Sequence, residues 1–405
     1  MNPKHKWAFQ PRFRRHAFGW RSQPAIRRIA EAVSEIKRTA RRDPILAAEG
    51  AVLFLERVSP ALEQVDSSSG AIGTAVNHAV DALVPIIAKA PADEKLRDRW
   101  LDRLWRAVEE DHIPYIEILP EYWGELCATP ERASRWADDF IGIVRMALSP
   151  NPEMHGYFKG TPACLSALFK AGRNAELIEL LERAPHKFWF ARQWGVKALM
   201  AMGQKAEALR FAEDSRGLNV HPAFIAKACE EILLGSGMAE EAYTRYAIEA
   251  NQGTSYLATF RSIVRKYPQK QPAEVLKDLI ASTPGDEGKW FAAAKSAGLY
   301  AEAIELVHRS PCDPRTLIRA ARDLAREEPR FAMEAGLAAL RWLVEGYGYE
   351  ITALDVRAAY DCAMKAAEIA GCSAEAAAKI RRLLAGEAAG TRFMRQILGR
   401  ELGSG

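Results

Sequence analysis

Along most of the chain the apolar positions recur every three or four residues, the period of a helix with one face turned inward. Ile26, Ile29, Val33 and Ile36 make one such stripe, Leu177, Leu180 and Leu181 another, and Ala303, Ile304 and Val307 a third. No stretch alternates with the period of two that a half-buried strand requires. Helix starts are marked locally. Pro24 opens the first helix, and Asp43-Pro44 is an N-cap followed by proline at the first helical position. Asp66–Gly70 is a turn, with helices expected over Ala71–Ala90 and Asp93–Glu110. The second of these carries Trp100, Leu101, Leu104, Trp105 and Val108 on one side. The fold class read from this pattern is all-α.

From about residue 160 a turn signature repeats. It reads GRNAEL from Gly172, GQKAEA from Gly203, GMAEEA from Gly237, GLYAEA from Gly298 and GCSAEA from Gly371. KQPAEV from Lys270 lacks the glycine, and FAMEAG around Glu334 is a looser copy. The glutamates at 176, 207, 241, 274, 302, 334 and 375 are spaced by 31, 34, 33, 28, 32 and 41 residues. Two helices of about twelve residues with two short turns fill such a period. Glycine closes the first helix in a left-handed conformation, and glutamate in the first turn of the second favours the positive end of its dipole. One such hairpin cannot bury its apolar face alone, so neighbours must stack.

Gly-x-x-x-Glu-Ala at this period resembles the turn of the tetratricopeptide repeat over roughly residues 160–385, although the first helices lack that family's regular Trp and Tyr positions. The resemblance implies a right-handed superhelix of stacked antiparallel hairpins, an α-solenoid. Residues 24–152 read as longer, irregular, HEAT-like hairpins and 153–405 as tetratricopeptide-like repeats, with Ser149-Pro-Asn-Pro152 between them. A looser likeness to bacterial helical-repeat proteins of uncharacterised function lies in VDSSSGAIGTAVNHAVDAL (Val65–Leu83) and implies no activity.

Charge changes the picture at the N-terminus. Residues 1–42 hold twelve Lys and Arg against Glu31 and Glu35, a net +10, whereas the whole chain carries +4, leaving −6 on residues 43–405. In the arm, residues 1–23, the cations Lys4, Lys6, Arg12, Arg14, Arg15 and Arg21 are interleaved with Trp7, Phe13 and Trp20. The helix that follows adds Arg27, Arg28, Lys37, Arg38, Arg41 and Arg42. Cations neutralise phosphates and aromatic faces stack on unpaired bases, so this head fits nucleic acid or another polyanion. Equally, the aromatics fit a lid that docks on the helical body, or the charges fit an acidic protein partner. The first 30 residues are Arg-rich and acid-poor, as in a mitochondrial transit peptide, but poor in Ser and rich in Trp and Phe.

Other candidates are weaker. Ser282–Trp290 (STPGDEGKW) has the glycines and lysine of a phosphate loop, but only two residues separate Gly285 from Gly288, and Trp290 stands where Ser or Thr binds magnesium. SSSGAIGT (Ser67–Thr74) reads as a capped turn, and the aromatic-rich HKFWFARQW (His186–Trp194) as core. Tyr347 and Tyr349, in the stretch Arg341–Val356 where the repeat lengthens, could be displayed to a partner. The six cysteines form no CxxC pair and the eight histidines no i,i+3 or i,i+4 pair, so neither metal, cofactor nor disulfide framework is implied. No unbroken apolar run of about 18 residues points to a membrane span, and the mean hydropathy of −0.20 fits a cytoplasmic chain. The leading functional expectation is a non-catalytic scaffold for a protein or peptide partner. The second is a nucleic-acid-associated protein acting through the head. The third is an enzyme on a helical-repeat scaffold, like the HEAT-type DNA glycosylases, which needs a carboxylate and aromatics converging in a basic groove.

Overall fold

Of the first four helices, the second and fourth begin on an aspartate whose side chain caps them, whereas the first and third begin without a side-chain cap. The computed structural model describes residues 5–151, 153, 156–217, 220–386 and 390–399, so Lys4 of the basic arm and Pro152 of the expected boundary lie outside the described residues. Among those described the chain is all-α, with three short 3-10 turns and no strand. It divides into two compact units, Met1–Ile232 and Leu233–Gly405. The stretch Ser149–Pro152 falls inside the first.

The first unit runs through α1 (Ser22–Ala40), α2 (Pro44–Leu62), α3 (Ala71–Lys89), α4 (Glu94–Glu109), α5 (Trp123–Leu126) and α6 (Pro130–Ala147). It continues with α7 (Thr161–Lys170), α8 (Asn174–Glu182), α9 (Trp189–Ala201) and α10 (Lys205–Glu213), and ends within α11 (Pro222–Leu234). The side chain of Asp43 accepts from the Leu46 N–H at 2.9 Å and caps α2 as expected, and that of Asp93 accepts from the Leu96 N–H at 2.7 Å and caps α4. Helix α1 starts at Ser22, two residues before Pro24. Its neighbours α2 and α3 pack on it and on each other, α2 also meets α4, and α3 meets α5. Arg103 of α4 lies between Glu49 and Glu56 of α2, bonding Glu56 at 2.6 Å, and Trp100 donates to Glu49 at 2.5 Å. By length and composition α3 is apolar enough to cross a membrane. Counting unbroken apolar runs misses it, because Asn77, His78 and Asp81 interrupt them, and its inner face is packed on α1 and α2.

The second unit comprises α12 (Ala239–Ala250), α13 (Tyr256–Lys266), α14 (Pro272–Ala281), α15 (Phe291–Ser296), α16 (Tyr300–Arg309) and α17 (Pro314–Asp323). After these come α18 (Pro329–Val344), α19 (Ala353–Ile369), α20 (Ser373–Ala385) and α21 (Thr391–Leu398). Contacts run to the next one or two helices: α17 touches α18 and α19, α18 touches α19 and α20, and α19 touches α20 and α21. Helices α18 and α19 approach closely at Gly336, where a Cβ would lie 2.8 Å from that of Ala363.

The repeated glycines do what the pattern requires. Gly172, Gly203, Gly237, Gly298 and Gly371 all have φ between 69° and 76°. At each, the glycine N–H bonds three residues back and the next N–H bonds five residues back, as when Gly203 donates to Met200 and Gln204 to Leu199. This is the Schellman closure of a helix. Gly346 closes α18 in the same way: its φ is 80°, its N–H donates to the Leu343 carbonyl, and Tyr347 donates to the Trp342 carbonyl at 2.8 Å. The glycine-free copy differs. Helix α14 starts at Pro272 with the Gln271 N–H donating to Glu274. FAMEAG is not a turn at all. Glu334 sits inside α18, its carboxylate bonded to Lys379 of α20 at 2.5 Å.

Candidate functional site

The arm is laid across the first hairpin. Trp7, Phe9 and Phe13 are buried, with Phe9 and Phe13 edge-on to Phe54 of α2 at 5.8 and 5.1 Å. The Trp7 indole rests on Gly50, where a Cβ would be 2.2 Å from its ring. Polar ties follow the same path. The N–H groups of Ala8 and Phe9 donate to Glu35 at 2.8 and 3.2 Å, Arg12 pairs with Glu31 at 2.9 Å, and the His16 N–H donates to the Pro60 carbonyl at 3.0 Å. Trp7 and Phe13 are therefore core residues, turned away from any base that would stack on them. Trp20, 72% exposed, is the one interleaved tryptophan left at the surface.

The cations stay outside. Arg12 and Arg28 share Glu31, and Arg15 pairs with Glu63. The remaining described cations of the head, Lys6, Arg14, Arg21, Arg27, Lys37, Arg38, Arg41 and Arg42, form no ion pair. Three of them edge a groove of about 570 Å³ between α1 and α3. Its floor is Ile29, Ala30 and Val33 from α1 with Ala75, Ala79 and Ala82 from α3, while Lys37, Arg38 and Arg41 crowd the end where α1 finishes. Among the described residues no carboxylate lines it. The spacing of 75, 79 and 82 places the alanines on one face of α3, and their small side chains leave room for a third helix.

A second concavity of about 610 Å³ lies where the ends of α4 and α6 meet the segments before α7 and α9. Phe158, Phe188 and Phe190 line it, with Tyr157 at its rim and prolines 114, 120, 162 and 185 in its walls. Phe188 and Phe190 stack with ring centres 5.8 Å apart. Phe158 is anchored edge-on to Phe140 at 5.9 Å, the near end of a cluster that includes Trp105, Trp123 and Trp136. Two of the lining charges are structural. Lys159 donates to the carbonyls of Val108, Glu109 and Asp111 at 2.8–3.3 Å, closing the end of α4, and Asp111 accepts from Ser59 and from the N–H groups of Tyr115 and Ile116. Glu117 and Glu121 form no ion pair among the described residues. Burial pushes the Glu121 carboxyl up, opposed by Lys197 and reinforced by Glu117. Burial in turn pushes Lys197 down, opposed by Glu121, and its ammonium sits 4.0 Å from the centre of the Trp194 ring.

The other candidates resolve into structure. In Ser282–Trp290 the Gly288 N–H donates to Ser310, a Cβ there would be 2.2 Å from the Ser310 carbonyl oxygen, and Lys289 pairs with Asp286 at 2.9 Å. The segment is a tight connection between α14 and α15. Tyr347 leans on Trp342 at 6.2 Å, while Tyr349 is 79% exposed. Arg315 braces this loop by donating to the Glu350 carbonyl and to Asp355. All six cysteines are free, and burial pushes the thiols of Cys127, Cys164 and Cys312 up to about 12, which keeps them from forming thiolate. Among the described residues no cluster of His, Cys, Asp and Glu could hold a metal. Carboxylates and aromatics do meet, but in the acidic concavity, whereas the basic groove holds neither.

The aromatic concavity escapes sequence reasoning because its parts come from separate segments, Pro114–Glu121, Gly156–Pro162 and Ala184–Phe190. The only local signal is His186–Trp194, which divides. Ala191, Arg192 and Trp194 enter the core as expected, while Phe190 faces out. The chain matches no protein-family model, and no curated protein matches it in sequence.

Proposed function

We propose that the chain is a non-catalytic helical-repeat scaffold, each unit a right-handed stack of HEAT- or tetratricopeptide-like hairpins, whose basic head captures an acidic amphipathic helix of a partner protein. One observation carries this reading: the α1–α3 groove joins an apolar, alanine-floored channel to Lys37, Arg38 and Arg41, none of which has a carboxylate of its own. A helix laid there would bury an i, i+3, i+4, i+7 stripe and bring Asp or Glu to the three cations. Nucleic acid would use the same cations and leave the apolar floor uncovered, since the arm's Trp7 and Phe13 are already occupied within the fold.

The test is titration of a fluorescent acidic amphipathic peptide against the full chain. Binding is expected in the micromolar range, at least about tenfold tighter than for a scrambled peptide of equal charge. Val33→Asp in the floor and the triple change Lys37→Glu, Arg38→Glu, Arg41→Glu should each abolish it. Equal binding of both peptides, or tight duplex DNA binding indifferent to Val33→Asp, would replace this reading with the nucleic-acid one.

A further inference from the structure

We infer that the aromatic concavity of the first unit is a binding site for an alkylated ammonium ion, held by the faces of Phe158, Phe188 and Phe190 and by the carboxylates of Glu117 and Glu121. The inference is independent of the head groove.

Charge and surface type together select the ligand class. The walls are mostly hydrocarbon, so a ligand must bring apolar surface to replace the water it displaces. Two carboxylates that form no ion pair among the described residues face the same space, and a neutral apolar ligand would bury them with Lys197 alone acting on Glu121 to offset the cost. An anion would be repelled by them. The lining Lys159 does not reverse this balance, because its ammonium is surrounded by three carbonyl oxygens at the negative end of α4 and lies beside Asp111. A compact, strongly hydrated cation would lose its water without gaining hydrocarbon contact. A tertiary or quaternary ammonium spreads its charge over methyl groups, matches the walls, and is attracted by aromatic faces.

Size and rigidity fit as well. A volume of about 610 Å³ takes the cation together with an attached ring or chain. Prolines 114, 120, 162 and 185 fix backbone angles around the walls, so little ordering is left to do on binding. The upward push on Glu121 marks a carboxylate that a bound cation would relieve. The same chemistry is offered by a free organic cation and by a methylated lysine side chain on a peptide.

Calorimetric titration of the full chain with phenyltrimethylammonium, and with tert-butylbenzene as its neutral isostere, tests the site. The cation is expected to bind with a dissociation constant below about 1 mM and at least about fivefold tighter than the isostere. Glu121→Gln, which keeps shape, should weaken the cation by about fivefold or more and leave the isostere unchanged or bound more tightly, and Phe188→Leu should weaken the cation more than the isostere. A trimethyl-lysine peptide binding more tightly than both the free cation and the unmethylated peptide identifies the protein-borne source. Binding of the free cation alone identifies the small-molecule one. Equal binding of cation and isostere, indifference to Glu121→Gln, or absence of heat at about 5 mM cation would overturn the inference.

Discussion

Replacing Gly50 by alanine should unseat the N-terminal arm, and the effect should reverse sign when Trp7 is absent. Gly50 lies inside α2, where alanine is ordinarily favoured over glycine by about 1 kcal/mol. The added methyl would sit 2.2 Å from one indole carbon and 2.6 Å from two others, distances that force the ring off its seat. A buried tryptophan contributes roughly 4–6 kcal/mol of gross burial, and truncating one costs about 3–5 kcal/mol. With the arm intact, Gly50→Ala is therefore expected to destabilise by about 2–4 kcal/mol, the lost seat less the helical gain. In a Trp7→Ala background the same change should stabilise by about 0.5–1 kcal/mol. Urea unfolding of the four proteins of this cycle, followed by circular dichroism, gives the coupling directly. Trypsin supplies a second readout, since Arg12 and Arg14 should be cut faster in Gly50→Ala than in the parent. An equal shift in both backgrounds would refute the docking geometry and return Trp7 to the surface.

Gly203→Val and Gly298→Val should each cost about 1 kcal/mol or more. Nothing lies within 4 Å of either added Cβ, so the cost is backbone strain at φ 76° and 74°, and melting equal to the parent would remove these turns as helix caps. Asp355 has its carboxyl held down at about 2, chiefly by the hydrogen bond from Arg315 at 3.0 Å and further by the Thr352 N–H at 2.9 Å. Because the folded value lies below the unfolded 3.8, its contribution is full above about pH 4 and fades as pH falls towards 2. Asp355→Asn should cost about 1–2 kcal/mol at neutral pH, and that gap should close over the same window in stability measurements; a gap independent of pH contradicts the assignment.

What was legible in the sequence was local. Glycine at a helix end, Asp before proline and an apolar period of three to four each depend on a few neighbouring residues, and Gly203, Asp43 and the Ile29–Ile36 stripe behave as their neighbours require. FAMEAG shows the limit of that reasoning. The letters suit a turn, but Arg330 stands where the other copies have glycine, four residues before the glutamate, and α18 runs through the whole motif, Gly336 included. The arm carried its answer in two distant places, aromatics at 7, 9 and 13 and a glycine at 50 without a turn around it, and only their contact gives the glycine a reason. The two concavities depend on which elements become neighbours. Lys37 and Ala79 are 42 positions apart, and Glu117 and Phe190 are 73 apart, so no local pattern records that they share a surface.

In the second unit the reach of contacts sets how the chain responds to load. Helices there touch partners one or two places along, and the cross-ties span short loops: Arg315 to Asp355 and Lys379 to Glu334 close 40 and 45 residues. Closure entropy grows only slowly with loop length, so ties of that size and contacts between near neighbours favour local formation of structure. A pull at Leu398 loads the contacts of α21 with α19 and α20 first, together with the bond from Gly390 to the Val344 carbonyl that ties this end to α18. Tension applied at this end would then be met by one helix and its near neighbours before it reached the rest of the unit.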